Sequence, residues 1–177
     1  ALVEASIGLR RAAVNGDWKA SLQMARASIE ECDSFVQRAA MQCPAKDRFK
    51  VWMAAAQIFR NDDTKRAAML QKACHDAADP HNKAAAMILS AKLQATEAEK
   101  LYFKAWRESH QWKAAVALSH FLVQNGRKSE SIEILKSAIQ ENVTVGRLWA
   151  MLALQADDLR QAKALLATGL RIVPRCG

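Results

Sequence analysis

Residues 122–143, LVQNGRKSESIEILKSAIQENV, carry the reading that decides the fold. Asn125-Gly126 is a turn signal that closes one run and opens another. After it, Ser131, Leu135 and Ala138 place a small residue, a bulky one four later and a small one three after that. The run breaks at Val143, five residues beyond. Before the turn, Leu118, Ser119 and Leu122 share a face only if the chain is helical, because a helix gathers i, i+1 and i+4 and a strand does not. The stretch is therefore a helix–turn–helix unit. Small residues at the crossing let the two helices approach, and the bulky ones fill the space beside them.

The same series recurs in both directions. It reads Ala162, Leu166, Gly169, Pro174 in QAKALLATGLRIVP and Ala98, Tyr102, Ala105 in EAEKLYFKAW. A weaker copy in KRAAMLQKAC offers Leu70 and Ala73, and GDWKASLQMARASIE offers Ser21, Ala25 and Ser28. The leading residues Ala98, Ser131 and Ala162 stand 33 and 31 residues apart. Turn signals at Gly16-Asp17, Asn61-Asp62-Asp63 and Asp157-Asp158 precede other copies. Further first-helix faces are Trp149, Ala150, Ala153 and Ala85, Ala86, Leu89. One unit cannot bury its apolar stripe alone, so neighbours must stack. About ten helices are expected: 2–14, 17–42 with a possible break, 46–60, 63–78, 80–93, 95–109, 111–125, 127–142, 144–156 and 158–172. The spacing fails once, since Ser21 to Arg66 is 45 residues. The extra length, SFVQRAAMQCP, is helical in pattern and stops at Pro44, so it is either a long second helix or a degenerate extra unit. The expectation is one helical-repeat domain over 1–177, clearest over 80–174, with an irregular insertion at about 29–46.

Composition agrees with helix and restricts function. Of 177 residues, 51% are hydrophobic, with only 6 Gly and 3 Pro, which disfavours disorder and favours helices. The net charge of +8 attracts acidic protein surfaces or nucleic acid, but it is spread along the chain rather than gathered in one tract. No apolar stretch reaches the roughly 18–20 residues that span a bilayer. The richest, Ala84 to Ala91, is flanked by Lys83 and Lys92, so no membrane partner is expected. Cys32, Cys43, Cys74 and Cys176 form no CxxC pair and read as buried reduced thiols, which suits an intracellular setting, nuclear or cytoplasmic. The chain starts at Ala1 without Met and ends after a complete unit without a polar capping helix. We expect a piece of a larger protein, or an end that a partner covers.

These residues resemble tetratricopeptide repeats (TPR). LVQNGRKSESIEILKSAIQENV matches best, and WAMLALQADDLRQAKALLATGLRIVP is similar, with Gly169 where Ala is usual. QRAAMQCPAKDRFKVWMAAAQIF resembles the half-a-TPR (HAT) variant, in which a Trp such as Trp52 follows a Cys-Pro break. The resemblance implies an all-α, right-handed α-solenoid of stacked antiparallel helix pairs, with a concave face lined by first helices. It implies a protein–protein interaction scaffold in a multi-protein assembly. The HAT variant implies RNA processing such as mRNA splicing, with RNA reached through a ribonucleoprotein complex.

No GxGxxG, P-loop, HExxH or GxSxG pattern is present, so an enzyme is not expected. Cys74-His75 with His81 and Cys43 lacks the short paired spacings of a zinc site, and no metal or cofactor is expected. Asp62-Asp63 and Asp157-Asp158 sit at helix starts, where carboxylates cap free N–H groups. Cys32 has no evident base to activate it. Trp52 and Trp149 fall on apolar faces, whereas Trp18 and Trp112, beside a turn and a helix start, are candidate exposed anchors.

The groove is expected to present Lys113, Val116, Ala117 and His120 from one first helix. The next contributes Arg147, Leu148 and Met151, and the preceding one Lys83, Ala84 and Met87. The candidate partner-binding residues are Lys83, Met87, Lys113, His120, Arg147 and Met151. This mixed basic and apolar lining suits an acidic or amphipathic helical segment of another protein. It lacks the Lys/Asn clamp for a peptide C-terminus that chaperone-type TPR domains imply. The alternative is a direct single-stranded RNA binder of pentatricopeptide type. Against it, Lys83, Val116 and Arg147 take matching places in three units, so no polar reader recurs.

Overall fold

Four of the described helices start where a carboxylate or a proline is placed to start them. The structure, a computed structural model, describes residues 2–28 and 30–173. Pro174 and Cys176 lie outside the described residues. The Asp17 carboxylate accepts from Lys19 N (2.9 Å), Asp62 from Lys65 N (2.9 Å) and Asp158 from Gln161 N (2.7 Å), each capping a helix. Asp79 accepts from the amides of His81 and Asn82 ahead of a helix that opens on Pro80, which has no N–H to leave unpaired. The turns before two helices pass through Gly16 (φ 95°) and Gly126 (φ 75°), left-handed backbone that favours glycine.

Eleven α-helices result among the described residues, with no strand. They are α1 (Leu2–Val14), α2 (Trp18–Ala27), α3 (Cys32–Gln42), α4 (Arg48–Ile58), α5 (Asp63–Asp76), α6 (Pro80–Leu93), α7 (Ala98–Ser109), α8 (Trp112–Gln124), α9 (Lys128–Glu141), α10 (Gly146–Leu154) and α11 (Leu159–Ile172). The chain divides into two compact units, Ala1–Leu93 and Gln94–Gly177. In the first, α1 packs on α2, α2 on α3, α3 on α4, α4 on α5 and α5 on α6. In the second, α7 packs on α8, α8 on α9, α9 on α10 and α10 on α11. Short turns make these neighbours antiparallel, and the chain is an all-α protein of sequential antiparallel helix pairs with a TPR-like helical-repeat architecture.

The structure corrects the expected irregularity. The expected segment 17–42 is two helices, and α3 is followed by a single 3-10 turn (Ala45–Asp47). The break forms at Ser28, whose backbone is extended (φ −116°) and whose hydroxyl accepts from Glu31 N. Cys32, Val36 and Ala39 then repeat the small–bulky–small series, all buried, with Pro44 five residues on. So α3 is an ordinary second helix and α2 an ordinary first helix. Helices α2, α4, α6, α8 and α10 start at Trp18, Arg48, Pro80, Trp112 and Gly146, steps of 30, 32, 32 and 34 residues. The period never fails; reading Ser21 and Ala25 as a second-helix face had put that unit out of phase.

Packing follows the series. Leu70 and Ala73, Tyr102 and Ala105, and Ser131, Leu135 and Ala138 are all buried. Burying a leucine fully is worth about 1.5–3 kcal/mol, so these positions hold each crossing together. In the first unit, Gln42 of α3 donates to the Ala13 carbonyl that ends α1 (2.8 Å) and accepts from Ser21 of α2 (3.0 Å). In the second, the Gln155 amide donates to Ser119 Oγ (3.0 Å), which lies 2.7 Å from Ser131 Oγ. That chain joins α8, α9 and the end of α10. Ion pairs also cross at about one repeat's separation: Lys65 with Asp33, Arg127 with Glu99 and Lys128 with Asp157. Helix α7 ends at His110 in the left-handed region (φ 51°), whose carbonyl accepts from the Asn142 amide.

Candidate functional site

The first helices bury one face in their unit and leave another to solvent. In α8, Ala114, Ala115, Leu118, Ser119 and Leu122 are buried. Lys113, Ala117 and His120, at i, i+4 and i+7, form the opposite stripe: exposed, half-buried and exposed. In α10 the same register holds Arg147 (exposed), Met151 (half-buried) and Leu154, which is 82% exposed. Helices α8 and α10 touch, so the second unit carries two neighbouring stripes, each opening on a cation; the α10 stripe continues into apolar surface, and the α8 stripe passes Ala117 and ends on His120. The Lys113 ammonium lies 5.7 Å from the centre of the half-buried Trp112 ring.

Several expected lining residues do not belong to this surface. Val116 and Leu148 are buried and pack inward. Met87 is also core, 3% exposed, and Ala84 is buried beside it; Lys83 is half-buried. Lys83 and Met87 lie in the first unit, while Lys113, His120, Arg147 and Met151 lie in the second. The reason is phase. Counting from the helix starts at Pro80 and Trp112, the counterparts of Lys113, Ala117 and His120 on α6 are His81, Ala85 and Ile88. His81 and Leu154 are the residues the sequence reading missed, and Pro80, a first-turn residue, was the signal that would have fixed the phase.

A second concave surface, in the first unit, gathers Gln37, Met41, Arg48, Trp52, Lys72 and Asp76. Trp52 is buried, and its indole donates to Asp76 Oδ2 (2.7 Å), while Asp76 Oδ1 meets His75 Nδ1 (2.9 Å). The His75 contact, and then the Trp52 contact, hold the Asp76 carboxyl below its ordinary value against the opposing effect of burial. Lys72 lies 4.6 Å from the centre of the Trp52 ring. These contacts clasp the end of α5 to α4 and are consumed in structure.

Reactive chemistry finds little footing among the described residues. Burial pushes the Cys32 and Cys43 thiols up, and Asp33 and Asp47 push the same way, so both stay protonated and weakly nucleophilic. Asp62 and Asp158 cap helices, and Asp157 pairs with Lys128. Trp106 and Trp52 are buried, whereas Trp18, Trp112 and Trp149 are half-buried. No group of three or more His, Cys, Asp or Glu side chains among the described residues is placed to hold a metal ion. No described helix is long and apolar enough to cross a membrane.

The fold thus defines an all-α helical-repeat protein of antiparallel helix pairs. No protein-family model matches the chain. No curated protein matches it either. Among solved structures the chain is similar to MamA MSR-1 C2, at 13% identity, over 95% of this chain and 94% of that one, with a TM-score of 0.48.

Proposed function

We propose that this chain is a protein-interaction scaffold, a segment of a subunit in a multi-protein assembly, and not an enzyme. Its partners are proteins that present acidic or amphipathic helical segments to the exposed sides of α8 and α10. The observation that carries this reading is the pair of stripes on those helices, Lys113 with His120 and Arg147 with Met151 and Leu154. A cation beside half-buried apolar side chains attracts a carboxylate and gives an apolar helix face somewhere to rest. The setting implied by the HAT resemblance is an intracellular RNA-processing assembly, with RNA reached through protein partners.

Affinity capture compares the wild type with Lys113→Glu/Arg147→Glu. Both side chains are exposed, so the double variant keeps the wild-type melting temperature and loses the partners that the wild type retains. Retention of every partner would remove the groove reading. The net charge of +8 suits an acidic protein surface and the pentatricopeptide-like alternative alike. Titration with a single-stranded RNA oligonucleotide at low salt separates the two, because phosphate contacts make affinity fall steeply as salt rises.

A further inference from the structure

The last described helix carries an apolar face that its own counterpart in the chain buries. The small–bulky–small series aligns Ala162, Leu166 and Gly169 of α11 with Ser131, Leu135 and Ala138 of α9, an offset of 31 residues. The same offset pairs Leu170 with Ile139. Helix α9 packs against both α8 and α10, and there Leu135 and Ile139 are buried. Helix α11 packs against α10, and Leu166 and Leu170 are 43% and 77% exposed. Leu159, two helical turns before Leu166 on the same stripe, is also exposed, where α9 has the exposed Lys128. At 100° per residue these three leucines fall within about 40° of one another, a single ridge along the helix. So the ridge has the register of a surface on which a helix lies, as α10 lies on α9.

Charge says which helix. Between Leu159 and Ile172 the helix bears Arg160, Lys163 and Arg171 and no acidic residue. Lys163 borders the leucine ridge, and the two arginines lie further round the same side. Helix α9, in contrast, mixes Lys128 and Lys136 with Glu130, Glu133 and Glu141. A second copy of α11 laid on the first would oppose three cations with three cations. We propose that the Leu159–Leu166–Leu170 ridge docks an acidic amphipathic helix from another protein, separately from the α8 and α10 surface. Leucine-sized side chains of that helix would interlock with the ridge, and its flanking carboxylates would meet Lys163, Arg160 and Arg171.

The probe is a synthetic peptide with the apolar pattern of Gly146–Leu154 and glutamate at the outward positions, titrated by fluorescence anisotropy. The wild-type chain binds it. Leu170→Asp weakens binding by about tenfold or more, as expected for an apolar anchor. Lys163→Glu weakens it too and reduces its salt dependence. Lys113→Glu/Arg147→Glu leaves it unchanged, which separates this surface from the groove. Leu170 is exposed, so both ridge variants are expected to keep the wild-type circular dichroism spectrum and melting temperature, and Lys163→Glu alone still decides the matter if Leu170→Asp does not fold. Equal affinity for a peptide with lysine in place of glutamate would overturn the proposal, as would binding indifferent to Leu170→Asp and Lys163→Glu. A concentration-dependent dimer in sedimentation that Leu170→Asp abolishes would also overturn it, by giving the ridge to a second copy.

Discussion

Gly169 has no room for a side chain. A Cβ built there would stand 2.7 Å from Trp149 Cβ and 2.9 Å from Trp149 Cγ. The indole occupies the space that an alanine fills in other units, and it is fixed by its own hydrogen bond to the Val143 carbonyl (2.9 Å). Gly169→Ala should therefore destabilise the chain by about 1–3 kcal/mol, as overpacking does, even though alanine is the better helix former. Urea denaturation measures it; a neutral or stabilising result would mean that the indole moves aside. Asp76 makes a pH prediction. Its carboxyl is held down by His75 and Trp52, so its contribution is complete above the unfolded value of about 3.9 and is lost as pH falls through the lower folded value. Asp76→Asn should start less stable at neutral pH and lose less on acidification, which thermal melts between about pH 5 and pH 2 would show.

At the scale of the helix, the sequence was legible wherever a start signal and an apolar face agreed. Asp62, Pro80 and Asp158 open α5, α6 and α11 close to the expected positions. It misled between Ser21 and Pro44 for a physical reason. Both helices of a crossing pair need small residues on the facing side, so Ser21 and Ala25 on a first helix imitate the series of a second. Only the spacing of starts tells them apart, and Cys32 is an unobtrusive small residue to open such a series. A register set one residue off the spacing of the helix starts put Met87 in the groove, whereas Lys113, His120 and Arg147 do fall on exposed sides. Three predictions belong here. Leu135→Ala should cost about 2–5 kcal/mol, whereas Leu166→Ala, at the equivalent but uncovered place, should cost far less. Ser119→Ala should cost about 1–3 kcal/mol by stranding the Gln155 amide, measured by chemical denaturation. Gln155→Met should cost less than Ser119→Ala, since Gln155 Oε1 meets no donor among the described residues.

For the whole molecule, nearest-neighbour packing makes each unit answerable for its own stability. The second unit has a buried interior of its own in Leu118, Leu122, Leu135 and Leu148. Residues Gln94–Gly177 produced alone should fold to a helical, cooperatively melting protein, checked by circular dichroism; a flat melt would refute this. The even spacing of the first-helix starts has one more consequence. Within the first unit each second helix gives the following helix a surface to rest on: α4 rests on α3 and α6 on α5. Excision of residues 48–79 would seat Pro80 where Arg48 had been and leave like joined to like. A gene of this design can grow or shrink by whole modules without inventing a new junction, so the number of units is free to drift while the geometry of each stays put.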